Sequence, residues 1–465
     1  MLVCMECCFV TIAWRIDSSW YRNGDGHVVF GGSPLRAFKL SDAGVAIATA
    51  LEQSKPLGAG HEQLTDRLVQ AGALHPSLSD AVSPHEITVI IPAYVCNPED
   101  LPTLQTLITQ FQNHPVIVVD DASPIEVTAT GITLLRHPTN RGPAAARNTA
   151  LQQVSSQFIA FVDLDTSITS ENLCILASHF KDGKVGIVTP RITSRASPSI
   201  IGRYEVARSP LDMGLKPALV KPLTRVSFVP SAIMLARTDA IRQCNGFNED
   251  MRFGEDVDLV WRFVDTGVMC RYEPEIMGVH TARTSLRQFF KQRFNYGTSA
   301  AVLAHRHGSY AAPFVANIFL FGFWICLAFW LPLMAGLFLF AQIISSFVVL
   351  LRTGDNLFHA CATVITGIVN SARLFADAMT RVWLLPALLI SVFYPQILWT
   401  VLLSFVLPGL FEWFRFHTLD PFTYVALRAI DNSAYCIGVT IGTLKQKSLA
   451  ALSPKITVWR SRRAK

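Results

Sequence analysis

From Glu86 onward short apolar runs alternate with stretches of helical spacing, and no other feature limits the fold as much. Ile87-Thr88-Val89-Ile90-Ile91-Pro92 reads as a buried strand and residues 100–111 as a helix. Val116 to Asp121 is a second apolar strand ending in two acids. Residues 142–153 form a helix carrying Arg147, and Phe158 to Asp165 is a third strand ending in acids. Val185 to Val188 is a fourth, Val226 to Leu235 another, and residues 271–280 an extended piece ending at His280. Strands separated by helices predict an α/β domain with a doubly wound parallel sheet, because parallel strands need crossovers that cover both faces. Ligands of such sheets bind beyond the carboxyl ends of the strands. Here two of those ends carry paired carboxylates.

Acids at strand ends suit a hard divalent cation, Mg2+ or Mn2+, which in turn neutralises a diphosphate. In Asp163-Leu164-Asp165 the two side chains share one face if the strand continues. A third group of acids lies in Phe253 to Arg262, where Gly254 precedes Glu255, Asp256 and Asp258 and an apolar run of helical spacing follows. Acids in a first helical turn are stabilised by the helix dipole and need no function. Beside two acid-ended strands they gain one: a hydroxyl attacking a sugar carbon that leaves a diphosphate needs a carboxylate to take its proton. Asp256 is the candidate base, with Glu255 beside it near the acceptor. Asp258 turns away toward a basic partner, and Asp163 and Asp165 serve the donor.

The order Ile90-Ile91-Pro92-Ala93-Tyr94, Val118-Val119-Asp120-Asp121-Ala122-Ser123, Asn140-Arg141-Gly142-Pro143-Ala144-Ala145-Ala146-Arg147-Asn148, Asp163-Leu164-Asp165 and Gly254-Glu255-Asp256 resembles the family 2 glycosyltransferases with a GT-A fold. The resemblance covers residues 86–310 and implies inverting transfer from a nucleotide sugar. It implies a donor site of Pro92, Ala93, Tyr94, Asp120, Asp121, Arg147 and Asp163, with Asp121 near the base or ribose. It also puts Asp165 on the metal, His280 as a further ligand, and Asp256 as base. Gly31 to Arg36, Arg252 to Arg262 and Arg293 to Ala300 are similar to the mycofactocin-system glycosyltransferases. That likeness implies a membrane-associated enzyme using a UDP-sugar, UDP-glucose, to add β-linked glucose to a redox cofactor made from a ribosomal peptide. It also implies that the N-terminal part is a peptide-chaperone-like recognition module. Tyr94 to Pro98 is less polar than in many relatives, and the first thirteen residues match nothing known. A processive polysaccharide or lipid-carrier transferase is the rival. Processive synthases carry Gln-x-x-Arg-Trp on an interfacial helix, and Gln292-Arg293-Phe294-Asn295-Tyr296 lacks the Trp. A non-catalytic peptide-binding scaffold has no use for so many converging acids.

The remaining chain divides around this domain. Residues 1–13 are an extension of uncertain origin. Residues 14–75 read as a small winged-helix-like module with a hairpin turn at Asn23-Gly24-Asp25-Gly26, closed by Gly31-Gly32-Ser33-Pro34, and two helices, 42–53 and 61–69. Residues 76–85 are a linker. Residues 285–296 form a helix that either lies in a membrane interface or packs on the domain. Residues 311–444 hold the membrane helices: Phe314 to Leu351 and Val382 to Phe411 run 38 and 30 residues without a charge, long enough to enter a bilayer. The first run is predicted to turn near Pro332. Residues 445–465 are a basic tail. Placing that tail and Arg283 to Arg306 on one side demands an even number of crossings, and a multi-pass protein of the cell membrane with a cytoplasmic catalytic domain follows. The net charge of +6 belongs largely to the tail, so nucleic acid is not an expected partner. Ten scattered cysteines read as thiols in a reducing compartment.

Overall fold

The structure is a computed structural model that describes residues 13–77 and 80–457. The expectations for residues 1–12 and for the end of the basic tail lie outside the described residues.

The N-terminal module contains β1 (Ala13–Ile16), β2 (Tyr21–Arg22), β3 (Val28–Gly31), β4 (Arg36–Lys39), α1 (Asp42–Glu52), α2 (Glu62–Gln70) and β5 (Leu74–Ser77). The predicted turn at residues 23–26 joins β2 to β3. Residues 31–34 do not close the unit; they turn β3 into β4, so the hairpin becomes a three-stranded sheet. Gly32 is needed there, since a Cβ would stand 2.3 Å from the carbonyl oxygen of Ala71. Ser41 caps α1 by accepting from the Gly44 amide at 3.3 Å. β1 pairs antiparallel with β5 and brings the two ends of the module together. Asp17, buried in this module, accepts from Arg225 Nη2 of the following domain at 2.7 Å and meets His75 Nε2 at 3.1 Å. Burial alone raises a carboxyl, but these bonds and those from Ser19 outweigh it and hold Asp17 far below the usual range.

The following domain contains β6 (Ile87–Ala93), α3 (Asp100–Gln110), β7 (Val116–Asp120), β8 (Thr133–Arg136), α4 (Pro143–Leu151), β9 (Phe158–Val162), β10 (Thr166–Ser167) and α5 (Ser170–Ala177). It continues through β11 (Val185–Ser194), α6 (Ile200–Ala207), β12 (Ala218–Val220), β13 (Ile233–Arg237), α7 (Thr238–Gln243), α8 (Glu255–Asp265), β14 (Met269–His280) and α9 (Leu286–His307). Its strands form one sheet in the order β10-β14-β11-β13-β9-β6-β7-β8, with β12 on β14. β9, β6 and β7 are parallel, as predicted, and β8, which the sequence pattern did not mark, extends them in the same direction. β13 runs antiparallel between β9 and β11, so the sheet is mixed. The predicted strand at 226–235 therefore reduces to its second half. Residues 226–230 instead cross the carboxyl edge as an irregular segment, with Trp261 Nε1 donating to the Ser227 carbonyl at 2.8 Å. Buried aliphatic side chains cover both sheet faces, Ile91 and Val118 on one and Ile90 and Phe161 on the other. This is a GT-A-like α/β sheet.

α9 outruns its predicted end at Tyr296 by eleven residues. Phe289 and Arg293 are buried against α6 and the helix Pro421–Gln446, whereas Leu286 and Phe290 on the same helix as they are remain exposed. Beyond it come β15 (Val315–Asn317), α10 (Ile318–Ala328), α11 (Pro332–Arg352), α12 (Leu357–Arg381), α13 (Leu384–Ser391), α14 (Ile397–Phe416), α15 (Pro421–Gln446) and β16 (Lys455–Thr457), which pairs with β15. The turn before Pro332 is where the sequence predicts it. α11, α12 and α14 are long and apolar enough to cross a membrane. α15 lies along α9 at close range, because Gly297 and Gly438 face the opposing backbones; a Cβ on either would stand 2.1 Å from a carbonyl oxygen.

Candidate active site

A cavity of about 1420 Å³ opens at the carboxyl edge of the sheet and continues to α12 and α15. At its centre is Arg147, on the first turns of α4 and buried. Its Nη2 donates to Asp163 Oδ1 at 2.6 Å and its Nη1 to Glu255 Oε1 at 3.0 Å. One guanidinium thus ties the end of β9 to the start of α8. Phe247 lies 5.2 Å from its centre and backs the planar group.

Gly254 precedes α8 with φ 78°, a left-handed turn that suits glycine and aims the next two side chains at the cavity. A Cβ here would also stand 2.9 Å from Ser299 Oγ of α9. Asp256 Oδ1 accepts from the Val257 amide at 2.8 Å, and Oδ2 accepts from the Ser231 amide at 3.3 Å. Burial and the adjacent Asp256 push Glu255 up to about 7, with Arg147 opposing. Burial also raises Asp256 above the ordinary aspartate value. A carboxylate raised in this way takes up a proton more readily than a free aspartate does. Asp258, as expected, turns away: Arg262, Arg306 and His307 bind it at 2.8, 2.7 and 2.9 Å.

Pro92, Ala93, Tyr94, Asp121 and Asp163 line the cavity with Arg147, Glu255 and Asp256. Asp121 accepts from the Arg141 and Gly142 amides at 2.8 and 2.7 Å and so shapes the loop before α4. Asp120 does not line the cavity. Its carboxylate is consumed by the Ser123 amide and by Arg136, because neighbours on one strand point to opposite faces. The expected shared face of Asp163 and Asp165 also fails: β9 ends at Val162, and a turn closed by the Thr166 amide on the Asp163 carbonyl at 3.0 Å follows. Asp163 goes to Arg147, whereas Asp165 Oδ2 lies 3.3 Å from His280 Nε2 and 3.9 Å from Arg283 Nη2.

Among the described residues no three His, Cys, Asp or Glu side chains converge on one metal position. Asp165, with diphosphate oxygens completing the shell, fits a hard divalent cation, and His280 beside it offers a nitrogen, a ligand that Mn2+ accepts more readily than Mg2+. His280 is buried with Nδ1 unpartnered, so its ring is not consumed by the fold. No motif marks Ser231, and Arg283 stands out beforehand only as part of a basic stretch. Nor did local patterns mark the far lobe of the cavity, where Arg208, Asp377, Arg381 and Asp431 come from three separate segments. Arg381 lies 4.3 Å over the Tyr435 ring there.

Residues 88–241 match the family described as Glycosyl transferase family 2. The chain is 34% identical over 454 residues to the pre-mycofactocin glycosyltransferase of Mycobacterium tuberculosis (strain H37Rv), covering 93% of this chain and 95% of that one. A poly-beta-1,6-N-acetyl-D-glucosamine synthase of Staphylococcus aureus (strain N315) is 24% identical over 200 residues, 41% of this chain and 48% of its own. A mannosyltransferase from Pyrobaculum calidifontis, in complex with GDP-Man and Mn2+, superposes loosely, with a TM-score of 0.38 at 15% identity over 80% of this chain and 93% of that one. The likeness to the mycobacterial protein runs through the N-terminal module, the sheet and the helical region alike, and by it the chain belongs to the pre-mycofactocin glycosyltransferases, within glycosyltransferase family 2.

Proposed function

We propose that this glycosyltransferase moves glucose from UDP-glucose, with inversion, to the peptide-derived redox cofactor of the mycofactocin pathway, at the cytoplasmic face of the cell membrane. The observation that carries the reading is the Arg147 bridge, which holds Asp163 on the donor side and the Glu255-Asp256 pair on the acceptor side within one cavity. Asp121 and the Pro92-Ala93-Tyr94 stretch form the nucleotide end, and Asp165 with His280 would hold the divalent cation. A cation bound there neutralises the diphosphate and eases its departure. Asp256 takes the proton of the acceptor hydroxyl as its oxygen bonds to the anomeric carbon, and the bond from that carbon to UDP breaks on the opposite face. Glu255, pushed up to about 7 beside Asp256, holds its proton for part of the time at neutral pH, so the pair carries less than two full charges. The far lobe, polar and lined by Arg381 and Tyr435, receives the acceptor, and residues 14–75 recognise its peptide precursor.

The test is Asp256→Asn assayed with UDP-[14C]glucose and the peptide-derived acceptor. Transfer should fall by about 10²–10⁴-fold, the worth of a general base, while cation-dependent UDP binding persists. Loss of UDP binding in the same variant removes Asp256 from the acceptor side. An unchanged pool of glycosylated cofactor in cells lacking the protein refutes the acceptor.

A further inference from the structure

Among the described residues, the three helices long and apolar enough to cross a bilayer are each tied at both ends to other parts of the protein. α12 would be about 37 Å long at 1.5 Å per residue. At its first turn His359 stacks on Tyr21 of the N-terminal module with ring centroids 3.7 Å apart, and Asn356, which caps the helix, bonds the Tyr21 hydroxyl. At its last turns Asp377 pairs with Arg428 at 2.8 Å, and Thr380 accepts from Asn432 at 2.9 Å, both on α15, which lies along α9. The module and the catalytic domain are one body, joined through Asp17–Arg225 and Arg15–Glu273. A crossing helix has its ends on opposite faces of the bilayer, and α12 has both on this body.

The other two follow the same pattern. α14 begins with Ile397 and Val401 packed on Phe314 and Cys436 and ends with Glu412 bonded to Arg208 at 2.8 Å, just after α6. α11 ends at Gly354, whose carbonyl accepts from Asn23 at 3.0 Å. It begins beside the end of α10, where the Ala328 carbonyl accepts from Thr400 of α14 at 3.2 Å. α10 has only 11 residues, about 16 Å, half of a hydrocarbon core.

We infer that the helical region is an in-plane platform embedded in one leaflet, with no segment emerging on the far side of the bilayer. The inference rests on the membrane association proposed above and replaces the multi-pass arrangement; zero crossings also keep both basic stretches on one side. The platform's outward side chains are apolar to an extent that water does not tolerate in quantity: Leu333, Phe358, Phe393 and Phe422 are each more than 80% exposed. Apart from Asp420, the charges left outside are basic, with Arg352, Arg415, Lys445 and Lys447 exposed at or near helix ends. Four of the five acids between 318 and 457 are bound inside, Asp355 to His359, Asp377 and Glu412 to Arg428, and Asp431 to Arg293. Apolar faces rimmed by cations fit an anionic leaflet.

Two measurements on the full-length protein decide it. Flotation with phosphatidylcholine vesicles containing 30% phosphatidylglycerol should recover the protein with the lipid, about tenfold better than with phosphatidylcholine alone. In sealed spheroplasts, Leu331→Cys, Thr353→Cys and Gln396→Cys, each first shown to retain transfer activity, should gain no label from an impermeant maleimide beyond the parent protein. External protease should leave the unsubstituted chain full length. A protein that stays with the soluble fraction overturns membrane association itself. A protein that floats but takes external label at Leu331→Cys or Gln396→Cys, or is cut from outside, overturns only the in-plane arrangement.

Discussion

Replacing Glu255 with glutamine should make the folded protein more stable and should do so only where the native glutamate is ionised. The group moves from an ordinary 4.5 to about 7 on folding, through burial and the neighbouring Asp256. Each tenfold change in ionisation is worth about 1.4 kcal/mol, so the native state carries a destabilisation of about 3 kcal/mol once Glu255 is charged. The sign follows from the raised value. Relative stability from this group is complete below pH 4.5 and is lost progressively as the pH rises through 7. Glutamine keeps an oxygen to accept from Arg147 Nη1, and Arg147 keeps Asp163, so the bridge persists without the charge. Thermal unfolding of the detergent-solubilised protein, without donor or metal, should give midpoints for parent and Glu255→Gln that differ by less than about 1 kcal/mol at pH 5. At pH 8 the variant should melt several degrees higher, approaching about 3 kcal/mol at the midpoint. Because the variant mimics the protonated glutamate, its transfer activity below pH 7 should stay within about tenfold of the parent. A variant that is equally or less stable at pH 8 refutes the claim that burial beside Asp256 raises Glu255 in the folded protein.

Three further outcomes follow from separate parts of the molecule. Asp165→Ala should weaken Mn2+ dependence of UDP binding by about 10–100-fold, the usual effect of losing a metal-binding group or its support, and full retention of that dependence removes Asp165 from the metal. Gly438→Val should destabilise by about 3 kcal/mol and lower transfer, because its side chain has no room against the Phe294 carbonyl and α9 carries the Ser299 that abuts Gly254. Gly367→Ala, inside α12 with open space around it, is the control and should cost nothing, raising stability by up to about 1 kcal/mol. Asp17→Ala should cost about 3 kcal/mol by leaving Arg225 and His75 without their buried anion, read as a lower urea midpoint; an unchanged midpoint means the N-terminal module is held by other contacts.

How far the sequence could be read depended on what each residue is buried against. The strands from Ile87 to Val162 and the helix at Glu255 announce themselves because Val, Ile and Phe side chains fill both faces of a sheet, and the order of acids along them marks the edge where chemistry sits. Asp120 and Asp121 are indistinguishable as letters, and only the pleat assigns one to Arg136 and the other to the loop before α4. Asp163 and Asp165 were likewise separated by a turn that no local pattern demands. The second half of α9 went unseen for a different reason: its buried positions after Tyr296 include Gly297, Ser299, Ala301 and Ala304, residues chosen for close approach to α15 and the cavity wall rather than for hydrophobicity. A pattern search weighs apolar bulk, and where two backbones meet the bulk is absent. The same blindness applies to the helices beyond. α12 has the length and composition of a span, yet its inner face is Ala360, Val364, Ser371, Ala376 and Ala378, small enough to lie flat on its neighbours, while Phe358, Ile365 and Val369 face outward. Composition says that such a helix meets lipid. Whether it crosses or lies flat depends on what its two ends touch, and that is decided by Tyr21 and Arg428, some 400 residues apart.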